Sequence, residues 1–378
     1  MFYQKKEQKI NKNKIFKFIS SKKEFTKQDV SDSLEISFPT VGKYISSFLE
    51  MGIIENLGYL MGKNNRKSLT YKFNPNGLYS IGINVEVNRL RIILINLKGH
   101  KIKQKEISKN FYNDSNFLGF IIDQLKIFLL DCPQKERIKG IGVSLPGIVD
   151  NQNKEFKIGT NFHLFSKDMT LLEEVFNLPV YLINEANAGA FCEYIFNNYL
   201  YENLAYISID TGVGTGIILN SKLYYGKSFK AGEIGHVTVV DNGKLCSCGD
   251  RGCLEKYCSN TSLIEDFQKA FNLENLTLNK IFTEKLYLQT TGNKILKNYL
   301  NYLARAIKTL QLIFDLDKII IGGEITHYKD LFNMEETLKN KVFNNIFYRD
   351  KNILGFSNNG DSSNLYGAAF LPFKEFLY

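Results

Sequence analysis

Four cysteines fall within thirteen residues of this chain: Cys246, Cys248, Cys253 and Cys258, in the stretch GEIGHVTVVDNGKLCSCGDRGCLEKYCS. Thiols crowded into one short loop point to metal binding rather than to disulfide staples. Cys246, Cys248 and Cys253 supply three thiolates, Gly249 and Gly252 let the loop fold round an ion, and His236 supplies a nitrogen from ten residues upstream. Three Cys and one His make a closed tetrahedral set for Zn2+, with no position left open for a reactive water. The expectation is therefore a structural zinc. Cys132, Cys192 and Cys258 have no partner spacing and read as core residues.

Such a loop needs a rigid frame, and the strand pattern around it supplies one. SIGINVEVNRLRIILINLKGHKIKQKEI reads as three antiparallel strands, with turns near Val87–Asn88 and Lys98–Gly99. A helical stretch (Phe117–Leu130) and an apolar strand (Gly140–Val143) follow. The order starts again at LAYISIDTGVGTGIILNSKLYYG, continues through a helix at Ile295–Phe314, and reaches a strand at Lys318–Ile321 ending in Gly322-Gly323. Two lobes of one α/β order would face each other across a cleft, and ligands of such folds sit in the cleft.

The 378 residues are 44% hydrophobic and 23% charged, an ordinary globular composition that excludes collagen-like, disordered and disulfide-scaffold classes. No apolar run reaches the roughly 18–20 residues that cross a bilayer. The start, MFYQKKEQKI, lacks the apolar core of a secretory signal, so a cytoplasmic protein with no membrane partner is expected. The net charge of +9 is unevenly spread: residues 1–75 hold 14 Lys and Arg against seven Asp and Glu. A small basic module ahead of a near-neutral body is the electrostatic footprint of a nucleic-acid-binding head.

The pattern within residues 1–75 agrees. Ile15, Phe16, Phe18 and Ile19 form a helical stripe. Thr26 with Asp29 reads as a shortened capping box opening a helix that buries Val30 and Leu34. Ser37 is a second N-cap candidate with Pro39 in the first turn, and Val41, Ile45, Phe48 and Leu49 then recur on one helical face until Gly52. These are the two helices of a helix-turn-helix. Strand-like Ile53–Leu60 and Leu69–Phe73 flank the basic turn MGKNNRKS and make a wing. Thr40, Lys43, Tyr44 and Ser47 face away from the apolar stripe toward a major groove, and Lys63, Arg66 and Lys67 of the wing toward DNA backbone or minor groove. Asn74-Pro75-Asn76-Gly77 is turn chemistry. It divides a winged helix-turn-helix DNA-binding domain, 1–75, from a body, 76–378.

From Gly235-His236 through CSCGDRGCLE the chain resembles the zinc signature of the ROK family of repressors, open reading frames and sugar kinases. SLPGIVD (Ser144–Asp150), Thr160-Asn161, LINEANAGA (Leu182–Ala190), DTGVGTG (Asp210–Gly216) and IIIGGEI (Ile319–Ile325) extend the resemblance over the whole body. It implies a two-lobed actin-like ATPase fold with ribonuclease-H-like lobes and a homodimer. The head points to the repressor branch, which binds operator DNA as a dimer and is released by a small sugar effector. Motif wording suggests xylose, with glucose and N-acetylglucosamine open. The resemblance also implies that Asn161, Asn184, Glu185, Glu233, His236 and Glu255 hydrogen-bond sugar hydroxyls.

The alternative is an ATP-dependent sugar kinase of glucose or N-acetylglucosamine type. Family kinases have an Asp-x-Gly-Gly-Thr phosphate loop where this chain has Asn84-Val85-Glu86-Val87-Asn88, with no glycine and with a carboxylate that repels phosphate. They also place an Asp after the sugar-loop Asn, at the general-base position held here by Glu185. One added methylene moves a carboxylate by about an ångström, enough to cost on the order of a hundredfold in rate. The second glycine loop and Gly322-Gly323 are retained. ATP is not expected as a cofactor, and no catalytic residue is assigned. Sugar closure of the cleft, passed through the short Asn74–Leu78 link, would move the heads off operator spacing.

Overall fold

The computed structural model describes residues 2–61, 67–132, 134–159 and 164–377. Lys63, Arg66 and Asn161 lie outside the described residues.

The head has helices at Phe2–Ser21, Lys27–Leu34 and Phe38–Glu50, and a small sheet in which Lys67–Phe73 pairs antiparallel with both Phe25–Thr26 and Ile54–Met61. The Thr26–Asp29 capping box is complete: Thr26 Oγ1 accepts from the Asp29 N–H at 3.1 Å, and Asp29 Oδ2 accepts from the Thr26 N–H at 2.8 Å. Val30 is fully buried under it, whereas Leu34, in the last turn, is only half-buried. Ser37 occupies the N-cap of the third helix without capping it. Its hydroxyl is taken by the Thr40 hydroxyl at 2.8 Å, and Pro39 in the first turn has no N–H to offer. Val41, Ile45 and Phe48 are buried on one face, as their spacing requires, and Gly52 stops the chain at φ 71°.

Ile15, Phe16, Ile19 and Phe48 share a single apolar cluster with Leu365, Phe370 and Phe373 of the C-terminal helix, Ser363–Leu377. Lys12 Nζ adds a 2.8 Å bond to the Phe376 carbonyl. Each buried phenyl ring contributes roughly 1.5–3 kcal/mol, so the head is seated on the body as well as tethered by the turn that Gly77 N–H closes on Asn74 O.

The two lobes repeat one topology. In the first sheet the order is Lys101–Ser108, Arg89–Asn96, Tyr79–Glu86, Ile138–Leu145, Val180–Asn184; in the second it is Lys222–Leu223, Val213–Leu219, Leu204–Ile209, Lys318–Gly322, Leu354–Phe356. In both, the chain's first strand is central, antiparallel to the second and parallel to the fourth. The central strands are apolar almost without alternation because both sheet faces are covered.

The covering helices are exchanged. Glu185–Phe196 leaves the first sheet and packs on Leu204–Ile209 and Val213–Leu219 of the second. The C-terminal helix leaves the second sheet and packs on Tyr79–Glu86 and Ile138–Leu145 of the first. Where the two helices cross, a Cβ on Gly367 would lie 1.8 Å from the Ala188 carbonyl, so only glycine fits. Among the described residues no helix is long and apolar enough to cross a membrane.

Candidate functional site

The cysteine loop folds back on itself through bridges Thr238↔Cys253 and Leu245↔Arg251. Gly249 and Gly252 stand at φ 99° and 80°, and a Cβ on Gly252 would meet the Val240 carbonyl at 1.7 Å. The ligand atoms of His236, Cys246, Cys248 and Cys253 all lie within 4.8 Å of one another. Cys248 and Cys253 Sγ are 3.7 Å apart, and Cys246 Sγ is 3.6 Å from His236 Nδ1. A tetrahedral zinc with bonds of about 2.3 Å to sulfur and 2.0–2.1 Å to nitrogen requires edges of about 3.8 and 3.6 Å. The donor set fits that ion in chemistry and in size. Cys132, Cys192 and Cys258 are buried elsewhere in the core.

His236 also lies between two carboxylates. Its Nδ1 points at the thiols, while Nε2 lies 3.9 Å from Glu233 Oε2, a gap that one hydroxyl or water can bridge. Glu255, buried at the head of a short helix, accepts from the Cys246 thiol at 3.0 Å and lies 4.0 Å from His236 Nδ1. His236 and Glu255 thus stand together beside the cysteine loop.

On the first-lobe side, Asn184 caps the helix Glu185–Phe196. Its Oδ1 accepts from the N–H groups of Ala186 and Asn187 at 2.9 and 3.2 Å, and its amide donates to Gly147 O at 2.9 Å. Both ends of the side chain are therefore occupied, and Asn184 positions the turn that presents Glu185, a role its family position alone did not disclose. Burial pushes the Glu185 carboxyl up to about 8, with the negative charges of Asp210, Glu86 and Glu233 adding to the rise and Arg91 opposing it. Burial, then Glu86, raises Asp210 to about 7. Asp210 Oδ1 accepts from the Glu324 N–H at 3.1 Å, which ties the second lobe's glycine loop to the segment after Gly322-Gly323.

The turn of the first-lobe hairpin is filled by ion pairs. Arg91, only 2% exposed, holds Glu86 Oε1 at 2.5 Å, Asp361 Oδ2 at 3.1 Å and the Asp361 carbonyl at 2.7 Å. Arg89 pairs with Glu86 at 2.7 Å and Asp361 at 3.1 Å, and Asn84 donates to Glu86 at 2.7 Å. Against the upward push of burial, the two arginines hold the Asp361 carboxyl below its usual range. Asp361 leads into the C-terminal helix, so the network joins the first hairpin to the segment arriving from the second lobe. Glu86, expected to repel phosphate, is paired with both Arg89 and Arg91. Arg91 was legible only as a charge inside an apolar strand. Asp361 gave no signal, lying 270 residues away.

In the head, Lys43 and Lys67 are exposed, while Thr40 and Ser47 are half-buried on the third helix. Tyr44, expected on the outer face, is half-buried against the head core, because its position also borders the Ile45–Phe48 stripe. Tyr59 on the second strand was not anticipated and is 70% exposed.

The ROK family model matches residues 80–375. A xylose repressor from Bacillus spizizenii is 29% identical over 344 residues, covering 89% of this chain and 88% of that protein. A ROK family transcriptional regulator, a homologue of the E. coli MLC protein, superposes with a TM-score of 0.82 at 21% identity, over 98% of this chain and 96% of its own. A ROK family glucokinase from Streptomyces griseus, solved with glucose and AMPPNP, gives 0.69 at 20% identity, over 78% of this chain and 99% of its own.

Proposed function

The chain belongs to the ROK family, and from that premise we propose that it is a sugar-responsive transcriptional repressor. The observation that carries this reading is the union, in one chain, of a basic three-helix head with a two-lobed body whose first hairpin is closed by ion pairs. The repressor relative aligns with 89% of the chain, which must include part of the head, because the family model begins only at residue 80. The glucokinase, complete in itself, spans 78%.

In this reading residues 1–75 are a winged helix-turn-helix domain that reads operator DNA through Thr40, Lys43, Tyr44 and Ser47, with Lys63, Arg66 and Lys67 of the wing. Residues 76–378 bind a small sugar, xylose being favoured by the relative. Asn161, Asn184, Glu185, Glu233, His236 and Glu255 meet its hydroxyls, Asn184 also holding the turn before Glu185. Zinc on His236, Cys246, Cys248 and Cys253, when bound, fixes the imidazole so that its other nitrogen serves the sugar. The protein acts in the cytoplasm as a homodimer. Sugar draws the lobes together, the helix crossing at Gly367 turns, and the heads leave operator spacing.

A kinase reading is favoured by one feature, the retained glycine loop Asp210–Gly216. Against it stand Glu86 and its arginines, which leave no backbone cradle for phosphate at the first hairpin. Operator binding by purified protein, released by xylose or another pentose or hexose without ATP consumption, tests the two readings together. Release without turnover supports the repressor; sugar-dependent ATP consumption supports the kinase.

A further inference from the structure

A cavity of about 320 Å³ lies at the junction of head and body, away from the cleft. Four parts of the chain meet in it: the first head helix, the helix Glu185–Phe196, the end of the second-lobe hairpin, and the C-terminal helix. Lys17, Lys222 and Lys374 line it together with Phe191, Tyr194 and Tyr199, and no carboxylate is among its lining residues. Lys17 Nζ sits 3.4 Å from the centre of the Tyr199 ring. No Asp or Glu of the described residues makes an ion pair with Lys17 or with Lys222. A half-buried ammonium facing a ring and no anion is costly, and the cost is removed by an anion of matching size. Burial alone lowers Lys17 to about 8, in keeping with that cost.

We propose that this cavity is a second ligand site, for a small organic anion whose ring or apolar body lies against Tyr194 and Phe191 and whose carboxylate or phosphate meets Lys17 and Lys222. The volume is that of a small-molecule site, and aromatic walls with a few cationic groups are the recognition chemistry of such a ligand. The site bridges the head to the helix that begins at Glu185, so its occupant holds the head against the body independently of what the cleft binds. Lys17 also lines a neighbouring cavity of about 570 Å³, with Lys98 and His100 but again no acidic residue.

The test is calorimetric titration of the full chain with benzoate and with phenyl phosphate, using benzyl alcohol and inorganic phosphate as controls. The expected result is saturable binding of one or both organic anions, neither control binding comparably. The double variant Lys17→Gln/Lys222→Gln should weaken that binding by at least about tenfold, the loss of charge-assisted contacts. Lys222→Gln alone, on an exposed residue that the fold does not need, should weaken it severalfold. Xylose affinity should stay unchanged in both variants, which separates this site from the cleft. Absence of saturable anion binding, equal binding of benzyl alcohol, or wild-type affinity in the double variant overturns the proposal.

Discussion

The two lobes are the same fold used twice, and their equivalent hairpins differ where it matters. In the second lobe the turn between central strand and neighbour is Asp210-Thr211-Gly212, followed by Gly214 and Gly216. A Cβ on Gly216 would meet the Ala186 carbonyl at 2.2 Å, so this hairpin lies close against the helix Glu185–Phe196. In the first lobe the equivalent turn runs from Glu86 to Arg89, and Arg89 and Arg91 tie it to Asp361. A glycine hairpin lets neighbouring backbone approach closely. An ion-paired hairpin lends its charges to its own chain. One copy of a duplicated device has thus become an ion-paired tie between the first hairpin and the segment that enters the C-terminal helix.

The largest effect expected is at the metal loop that backs the second hairpin. Cys253→Ser should lower zinc from about one per chain to near zero, since a structural site binds with roughly 10–16 kcal/mol and needs all its ligands. Metal analysis reads the loss, and xylose binding should go with it. Full sugar affinity in metal-free protein would detach the loop from the cleft. Next comes the first hairpin. Arg91→Leu leaves Arg89 as the remaining shared partner of the partly exposed Glu86 and Asp361, and losing the buried guanidinium's charged hydrogen bonds should cost about 1–3 kcal/mol. Denaturant unfolding measures it; a loss below about 1 kcal/mol would mean that the network is a surface ornament rather than a tie.

Much of this was legible in advance. The repeated strand and helix pattern of both lobes followed from apolar runs and turn residues, though not the edge strands Val180–Asn184 and Leu354–Phe356. The grouping of Cys246, Cys248 and Cys253 with His236 followed from their closeness in sequence. The tie was not. Arg91 reads as one polar residue in RLRIILIN, and its meaning depends on Asp361, which only the exchanged C-terminal helix brings back to the first sheet. The capping role of Asn184 was not legible either, because a side chain that caps a helix and one that grips a ligand look alike until its hydrogen bonds are traced. Tyr44 shows the limit of helical spacing, since a residue beside the apolar stripe can lean either way.

A smaller effect sharpens the comparison on the cleft floor. Glu185, at about 8, and Asp210, at about 7, face each other with Glu86 and Glu233 nearby and Arg91 opposing. A bound sugar buries these groups further and so favours their protonated forms. Sugar affinity should therefore be flat in acid, fall as Asp210 ionises near 7, and fall again above 8, by up to about tenfold per pH unit while Glu185 ionises. In Glu185→Gln the fall above pH 8 should vanish while that near 7 stays, as titration calorimetry across pH would reveal. An unchanged profile would remove Glu185 from the sugar site. Smallest is the head: Lys43→Ala should weaken operator binding a few fold and lower the slope of log affinity against log salt by about one. Fluorescence anisotropy over a salt series checks this, and an identical slope would take Lys43 off the DNA.

The central claim is that sugar in the cleft and DNA on the head compete through the fold. Such coupling is about 1–3 kcal/mol and must be reciprocal, so operator DNA has to weaken sugar binding by the factor by which sugar weakens operator binding. Titrating xylose, or whichever sugar of a panel binds, into free protein and into the protein–operator complex measures it directly. The account predicts sugar affinity lower in the complex by about five- to a hundred-fold. Equal affinities in the two titrations would contradict it.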